Sequence, residues 1–232
     1  MSSQTGLPTE PPEGLHCALC GAPARTPFDA PTAEIGPDLD GRPGEPVRSL
    51  LPDWVQMCRS CGAAAPNLST LPASAKAVVE SAPYQSQVTT VSEECLPFLR
   101  WAMLCRAAGD TAAAAEATLQ AAWAADDAAA HSEAARLRRE VAALWGAPVG
   151  GAGDPPADTA TALRLLDVLR RAGEFAAVEA LGAKLAARAL DAEAAAVLAF
   201  QRARAANRDI GRHLSSSVHP AAADAPHAGH TP

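Results

Sequence analysis

The sequence predicts a mainly helical protein with a small, loop-rich module at its N-terminal end. Three observations support this prediction. Much of the hydrophobic content of 48% is alanine, while aromatic residues make up only 4% of the 232 residues. From residue 92 onward, capping residues are followed by apolar positions at helical spacing. Before them, two C-x-x-C-G steps stand in sequence rich in proline and glycine, which is typical of loops.

Composition divides the chain into five segments. The first is polar and proline-rich, and the last is polar and contains four histidines, so both are predicted to be disordered. The segments are, in order, a disordered N-terminus at 1–13, the cysteine module at 14–66, a connecting segment at 67–91, the helical array at 92–208 with a flexible loop at 146–157, and a disordered, histidine-containing tail at 209–232.

The helical array is predicted to hold about six helices. Gly109 is placed to end the first of them, and Asp110 to cap the second. Asp127 is predicted to cap the third. After the loop, leucine and alanine stripes at helical spacing predict the last three helices, over 158–172, 174–190 and 191–208.

A weak internal similarity predicts how these helices pair. Cys105-Arg-Ala-Ala-Gly-Asp110 resembles Leu169-Arg-Arg-Ala-Gly-Glu174, and each stretch precedes a helix rich in alanine. A small residue at the turn and alanines where two helices touch are typical of tetratricopeptide-type pairs. We therefore expect an antiparallel, tetratricopeptide-like array, without a fixed repeat count.

The two C-x-x-C-G steps predict a metal site. They supply four cysteines, Cys17, Cys20, Cys58 and Cys61, and each pair is followed by a glycine that lets the backbone curl around the sulfurs. Two such pairs are typical of a tetrahedral, four-thiolate Zn²⁺ site. Because four protein ligands leave no open position, we expect this zinc to be structural.

Other residues in the chain suggest sites less strongly. The same C-x-x-C spacing occurs in thiol–disulfide enzymes, which leaves redox chemistry as an alternative. His16 is interpreted as a bystander beside the cysteines. Cys95 and Cys105 are predicted to be buried apolar side chains. Asp38-Leu-Asp-Gly41 resembles the start of a calcium loop but lacks the later ligands, so a turn is expected.

Charge and hydropathy restrict the partners. The net charge is −7 and no segment is basic, so nucleic-acid binding is not expected. Arg204, Arg208 and Arg212 have the spacing of one helix face, which we interpret as solvated, with an acidic partner as the alternative. The sequence contains neither an apolar stretch of membrane-spanning length nor a signal peptide, so we expect no membrane contact and a cytoplasmic location.

Part of the chain resembles a known group of proteins. Gly36-Pro-Asp-Leu-Asp-Gly-Arg-Pro43, the stretch from Pro52 to Leu68 and the segment from Phe98 to Asp127 are similar to uncharacterised bacterial proteins. In those proteins a zinc-ribbon-like module leads into tetratricopeptide-like helices. The resemblance implies that the four cysteines bind the metal. It implies no activity, and this chain has Ala18, Arg59 and Ala63 where the group often has proline or an aromatic residue.

Together these observations predict a zinc-binding, non-enzymatic protein that binds a protein or peptide partner through its helical array. The sequence contains no nucleophile–base set, no phosphate-binding glycine loop and no H-E-x-x-H motif, so we do not expect an enzyme. Two alternatives stay open: a zinc ribbon associated with nucleic acid, and a redox-sensing zinc–thiolate switch. We also expect the helical array to fold without the metal.

Overall fold

A computed structural model describes residues 14–146 and 156–218. It confirms the mainly helical fold, because these residues form eight α-helices and one two-stranded sheet. The predicted disorder at 1–13 and 219–232 falls outside the described residues. So does the predicted flexible loop, except for residues at its two ends.

Regular structure is sparse in the cysteine module. A 3-10 helix at Arg48–Asp53 leads into strand β1 (Gln56–Met57), which pairs antiparallel with β2 (Ala64–Ala65). The second cysteine pair lies in the connection between these strands, which are two residues long each. Such a short ladder needs other interactions to hold it in place.

Six of the eight helices lie in the helical array, in agreement with the predicted number. The other two lie in the connecting segment. The helices are α1 (Ala75–Val79), α2 (Ala82–Thr90), α3 (Leu96–Ala107), α4 (Thr111–Asp127), α5 (His131–Leu144), α6 (Thr159–Arg171), α7 (Phe175–Ala186) and α8 (Ala192–Ala206).

One of the two predicted aspartate caps is confirmed. The carboxylate of Asp110 accepts the N–H of Ala113 at 2.9 Å and so caps α4. The prediction for Asp127 is wrong, because α4 continues through it and α5 begins only at His131. The carboxylate of Asp127 instead accepts two hydrogen bonds from the guanidinium of Arg42, at 2.9 and 2.6 Å.

Four of the described helices end in a left-handed turn that the same backbone hydrogen bond closes. Gly109 and Gly173 have φ angles of 79°, while Ala129 and Arg208 have φ angles of 56° and 54°. The residue after each turn donates its N–H to a carbonyl five residues earlier, at 2.8–3.0 Å. This satisfies carbonyl groups that the helix leaves unpaired, and glycine adopts the turn without steric cost.

Alanine allows α4 to pack closely on both sides. The helix lies between α3 and α5 and contacts both. Small side chains let helices approach closely, and a larger residue at these positions would have to displace a neighbouring helix. The buried alanines of α4 are Ala114, Ala115, Ala117, Ala121, Ala122, Ala124 and Ala125.

The cysteine module shares a core with the first half of the helical array. Leu51, Val55 and Ala64 of the module belong to one buried cluster with Leu119 and Trp123 of α4. Helices α6, α7 and α8 have a cluster largely of their own. The array therefore has two parts that differ in their dependence on the module.

A turn of the module also contacts the array, through the buried carboxylate of Asp40. Asp40 is fully buried and accepts hydrogen bonds from Trp123 Nε1 at 2.9 Å and Arg171 Nη1 at 2.7 Å. Arg138 Nη2 lies 3.6 Å from the same carboxylate. Burial alone would raise the pKa of Asp40, but Arg171 and Arg138 hold that pKa below its ordinary value. The aspartate therefore joins the module to α4, α5 and α6.

The segment after α8 differs from the sequence prediction. Its first residues, predicted to begin a disordered tail, pair with the module as far as they are described. His213 O accepts the N–H of Leu39 at 3.0 Å, and Ser215 donates its N–H to Pro37 O at 2.9 Å. A 3-10 helix at Ser215–Val218 follows. The polar composition misled the prediction because these two contacts are made by backbone groups, which composition does not reveal.

Candidate metal centre

Two equivalent backbone hooks present the four cysteines. In the first, Cys17 donates its N–H to Ala22 O, and Gly21 donates its N–H to Cys17 O, both at 2.8 Å. The second hook repeats both bonds around Cys58 at the same length. The glycines of the two hooks have φ angles of 73° and 75°, a conformation that favours glycine. The C-x-x-C-G pattern thus specifies this local fold directly.

The four sulfurs converge on one point. Sγ of Cys17 lies 3.9 Å from Sγ of Cys61, and Sγ of Cys20 lies 3.5 Å from Sγ of Cys58. All four lie within 4.8 Å of one another. Sulfurs about 2.3 Å from a tetrahedral zinc ion would be about 3.8 Å apart. The predicted cluster therefore forms, with dimensions that suit a metal ion and are too long for disulfides.

The thiols differ in how readily they ionise. The backbone N–H of Ala22 lowers the pKa of Cys20 to about 7. Burial raises the pKa of Cys61 to about 12 and also raises the pKa of Cys17. Thiolates this close repel one another, so four of them coexist only around a cation. The set of donors and their spacing fit a thiophilic divalent metal.

The second hook is anchored to the helices by a tyrosine and an arginine. Gly62 O accepts hydrogen bonds from Tyr84 Oη at 3.2 Å and from Arg100 Nη1 at 3.0 Å. Tyr84 Oη in turn accepts the N–H of Ala64 at 3.1 Å. The Arg100 guanidinium lies 4.9 Å from the centre of the Tyr84 ring. Helices α2 and α3 therefore anchor the second hook through its Gly62 carbonyl.

This anchoring also restricts residue 62 to glycine. A Cβ atom at Gly62 would lie 2.8 Å from Arg100 Nη1, and its φ angle of 75° disfavours other residues. No sequence motif assigned a role to Tyr84 or Arg100. The available signals were that Tyr84 is the chain's one tyrosine and that Arg100 is the one charge on an otherwise apolar segment.

The remaining cysteines and His16 lie outside the cluster. Cys95 and Cys105 are buried, as predicted, and Cys95 Sγ donates to Ala121 O at 3.3 Å. His16 is exposed and forms an isolated backbone bridge with Pro23. In the part of the chain that the structure describes, the four-cysteine set is the one group with metal-ligand geometry.

The calcium-like stretch is a turn, as predicted. Gly41 donates its N–H to Asp38 O at 2.9 Å, and Arg42 donates its N–H to Asp40 Oδ1 at 3.2 Å. Asp38 Oδ2 accepts a hydrogen bond from Arg48 Nη2 at 2.5 Å. Both carboxylates therefore face arginines.

The predicted arginine row does not form one helix face. Helix α8 ends at Ala206, and the left-handed turn at Arg208 redirects the chain. Arg204 and Arg208 lie over the rings of Phe200 and Phe175, at 4.7 and 4.9 Å. Arg212 instead reaches Asp38 Oδ1 at 3.4 Å. The spacing of the three arginines failed as a guide because it assumed a helix through residue 212.

The chain matches no family model, no curated protein and no solved structure. The resemblance to zinc-ribbon and tetratricopeptide proteins is thus supported only by the cysteine cluster and the helical bulk. None of the described helices has the length and apolar character needed to cross a membrane.

Proposed function

We propose that Cys17, Cys20, Cys58 and Cys61 bind one zinc ion that serves a structural role in a zinc-ribbon-like module. The observation that carries this proposal is the convergence of four sulfurs within 4.8 Å. Four thiolates complete a tetrahedral shell and leave no position for a substrate. The module has two strands of two residues each, so metal binding supplies folding free energy that its hydrogen bonds do not.

Metal analysis of the purified protein tests the zinc site. We expect one zinc per chain in the wild type and none in Cys58→Ala. The matched control is Cys105→Ala, which removes a buried thiol outside the cluster and should leave the zinc content unchanged. Absence of zinc from the wild type, or equal zinc in Cys58→Ala, would contradict the proposal.

We further propose that the protein is non-enzymatic and binds a protein partner through the helical array. A hollow of about 360 Å³ beside α3 supports this proposal. Its floor includes the buried ring of Phe98, and the exposed Glu93 and Glu94 stand at its rim. None of the described residues that line it is basic. The negative charge of the rim suits lysine or arginine on the partner, and the apolar floor suits a large apolar side chain next to it.

A pull-down with rim variants tests this surface. We expect the wild type to retain a partner that the double variant Glu93→Lys/Glu94→Lys loses. The control is Glu80→Lys, which reverses an exposed charge next to α1, outside the hollow. Retention of the same partners by the rim variant and the wild type would contradict the assignment. The two alternatives from the sequence, nucleic-acid binding and a redox switch, stay predictions.

A further inference from the structure

A second site candidate shares Asp127 with the hollow. It is a cleft of about 580 Å³ bordered by the cysteine module, α5, the end of α6 and the segment after α8. Asp126, Asp127 and His131 contribute to its wall. We call it the arginine cleft because five guanidinium groups line it, those of Arg42, Arg48, Arg138, Arg171 and Arg212.

Deep in the arginine cleft, charges are matched. Arg138 and Arg171 share the carboxylates of Asp40 and Asp126, with the shortest contacts between 2.5 and 2.7 Å. Arg42 pairs with Asp127 through two hydrogen bonds, as described above. These ion pairs fix the geometry of the wall and neutralise the charges of three of the five arginines.

At the mouth of the arginine cleft, positive charge is in excess. Arg48 and Arg212 share a single carboxylate, that of Asp38, which is 1% exposed. Arg48 Nη2 lies 2.5 Å from it, whereas Arg212 Nη1 is 3.4 Å away and its side chain is 51% exposed. One guanidinium charge is therefore left without a carboxylate of its own in the lining of the cleft.

The wall also has more hydrogen-bond donors than acceptors. The Nε atoms of Arg42, Arg138 and Arg171 have no acceptor among the described residues, although these side chains are only 2–8% exposed. Because these Nε atoms are themselves buried, they add to the positive field behind the wall and do not contact a ligand directly. Helix α5 begins at His131 in the same wall without a side-chain cap, so its positive end adds to the field.

We propose that the arginine cleft binds a tetrahedral oxyanion of the phosphate type, carried by a small molecule. Guanidinium groups donate paired hydrogen bonds to such oxygens. Arg48 and Arg212 reach the mouth from separate parts of the chain, which suits a group with oxygens on several sides better than a planar carboxylate. The volume lies within the range of about 300–1,000 Å³ usual for small-molecule sites. None of the metal-site cysteines lines this cleft, and Asp127 is the one described residue that it shares with the hollow.

Calorimetric titration of the full-length, metal-loaded protein with inorganic phosphate tests the proposal, with sodium chloride added to keep the ionic strength constant. We expect saturable one-to-one binding, and weaker binding of acetate. Arg212→Gln and Arg48→Gln should each raise the Kd for phosphate about tenfold, the loss of one charge-assisted hydrogen bond. The control is Arg59→Gln, an exposed arginine of the second hook, outside the cleft.

Arg212→Gln is the decisive variant, because its half-exposed side chain makes one long contact and its loss should leave the helical circular dichroism unchanged. Equal phosphate affinity in Arg212→Gln and Arg59→Gln would overturn the proposal. So would the absence of phosphate binding at millimolar concentration, or tighter binding of acetate. In each of those cases the arginines serve only to join the module to the helices.

Discussion

The cysteine module and the helical array are held in shape by different interactions. In the module, regular backbone pairing consists mainly of two hooks, a two-residue ladder and a few turns, and its buried side chains belong to clusters that it shares with the helices. In the array, α4 packs against α3 and α5 through alanines, and the backbone groups in the interior of each helix pair with one another. The module should therefore depend on its metal, and the array on close packing.

The residues between the two regions qualify this contrast. Leu51 and Val55 of the module pack against α4, and Asp40 lies buried among side chains of three helices. Helices α6 to α8 have a core largely of their own. The boundary between metal-dependent and metal-independent structure should therefore lie inside the array, between α5 and α6.

Metal removal should have the largest effect, because structural zinc contributes on the order of 10 kcal/mol to folding of small modules. A high-affinity chelator should speed hydrogen exchange throughout residues 14–66 and in α3, whose Arg100 anchors the second hook. Helices α6 to α8 should keep their protection and the helical circular dichroism that they contribute. Uniform loss of protection in all helices would show a single cooperative unit instead.

Asp40→Asn should have the second largest effect on stability, because it leaves Arg138 and Arg171 short of a buried countercharge. Breaking a buried ion pair on one side costs about 3–5 kcal/mol, which urea denaturation would detect. The control, Asp53→Asn, removes an exposed pair with Arg25 and should cost less than about 1 kcal/mol. Similar losses in the two variants would contradict a structural role for the buried carboxylate.

The pH dependence of this contribution has a defined sign. The folded-state pKa of Asp40 lies below the ordinary value of 3.8, so its contribution is fully present above that value. It is lost as the pH falls through the lower, folded-state pKa. Asp40→Asn should thus lower the free energy of unfolding at neutral pH. On acidification, the free energy of unfolding should fall less in this variant than in the wild type.

Tyr84→Phe should have a smaller effect, confined to the junction between the second hook and the helices. The change leaves the N–H of Ala64 without its acceptor in a buried position, which costs about 1–3 kcal/mol. Zinc should also transfer faster to a chelator, because the hook is less firmly anchored. An unchanged stability and transfer rate would show that the hydroxyl does not support the metal site.

The smallest effects should come from the left-handed turns. Ala129 and Gly173 occupy equivalent turns, but alanine is strained there and glycine is not. Ala129→Gly should stabilise the protein by roughly 1 kcal/mol, and Gly173→Ala should destabilise it by a similar amount. Thermal denaturation of this matched pair would detect the opposite shifts, and shifts of the same sign would contradict the shared geometry.

Local patterns in the sequence predicted much of this structure. The C-x-x-C-G spacing identified all four clustered cysteines, because each hook is specified by a few adjacent residues. The similarity between residues 105–110 and 169–174 marked two of the four left-handed turns. The other two have alanine and arginine in place of glycine, so composition gave no sign of them.

Long-range pairs could not be predicted in the same way. Asp40 meets Trp123 and Arg171 across 83 and 131 residues of sequence, and no local spacing encodes such contacts. The same reason explains the error at Asp127, which pairs with the distant Arg42 instead of capping a helix. It also explains why residues after Asp209 looked like a free tail although their backbone pairs with the module.

The zinc coordination itself is the most direct test of the central claim. X-ray absorption at the zinc edge of the purified full-length protein reports the number and type of ligands. The account predicts a single shell of four sulfurs at about 2.3 Å. A shell containing nitrogen or oxygen ligands at about 2.0–2.1 Å, or fewer than four sulfurs, would contradict it.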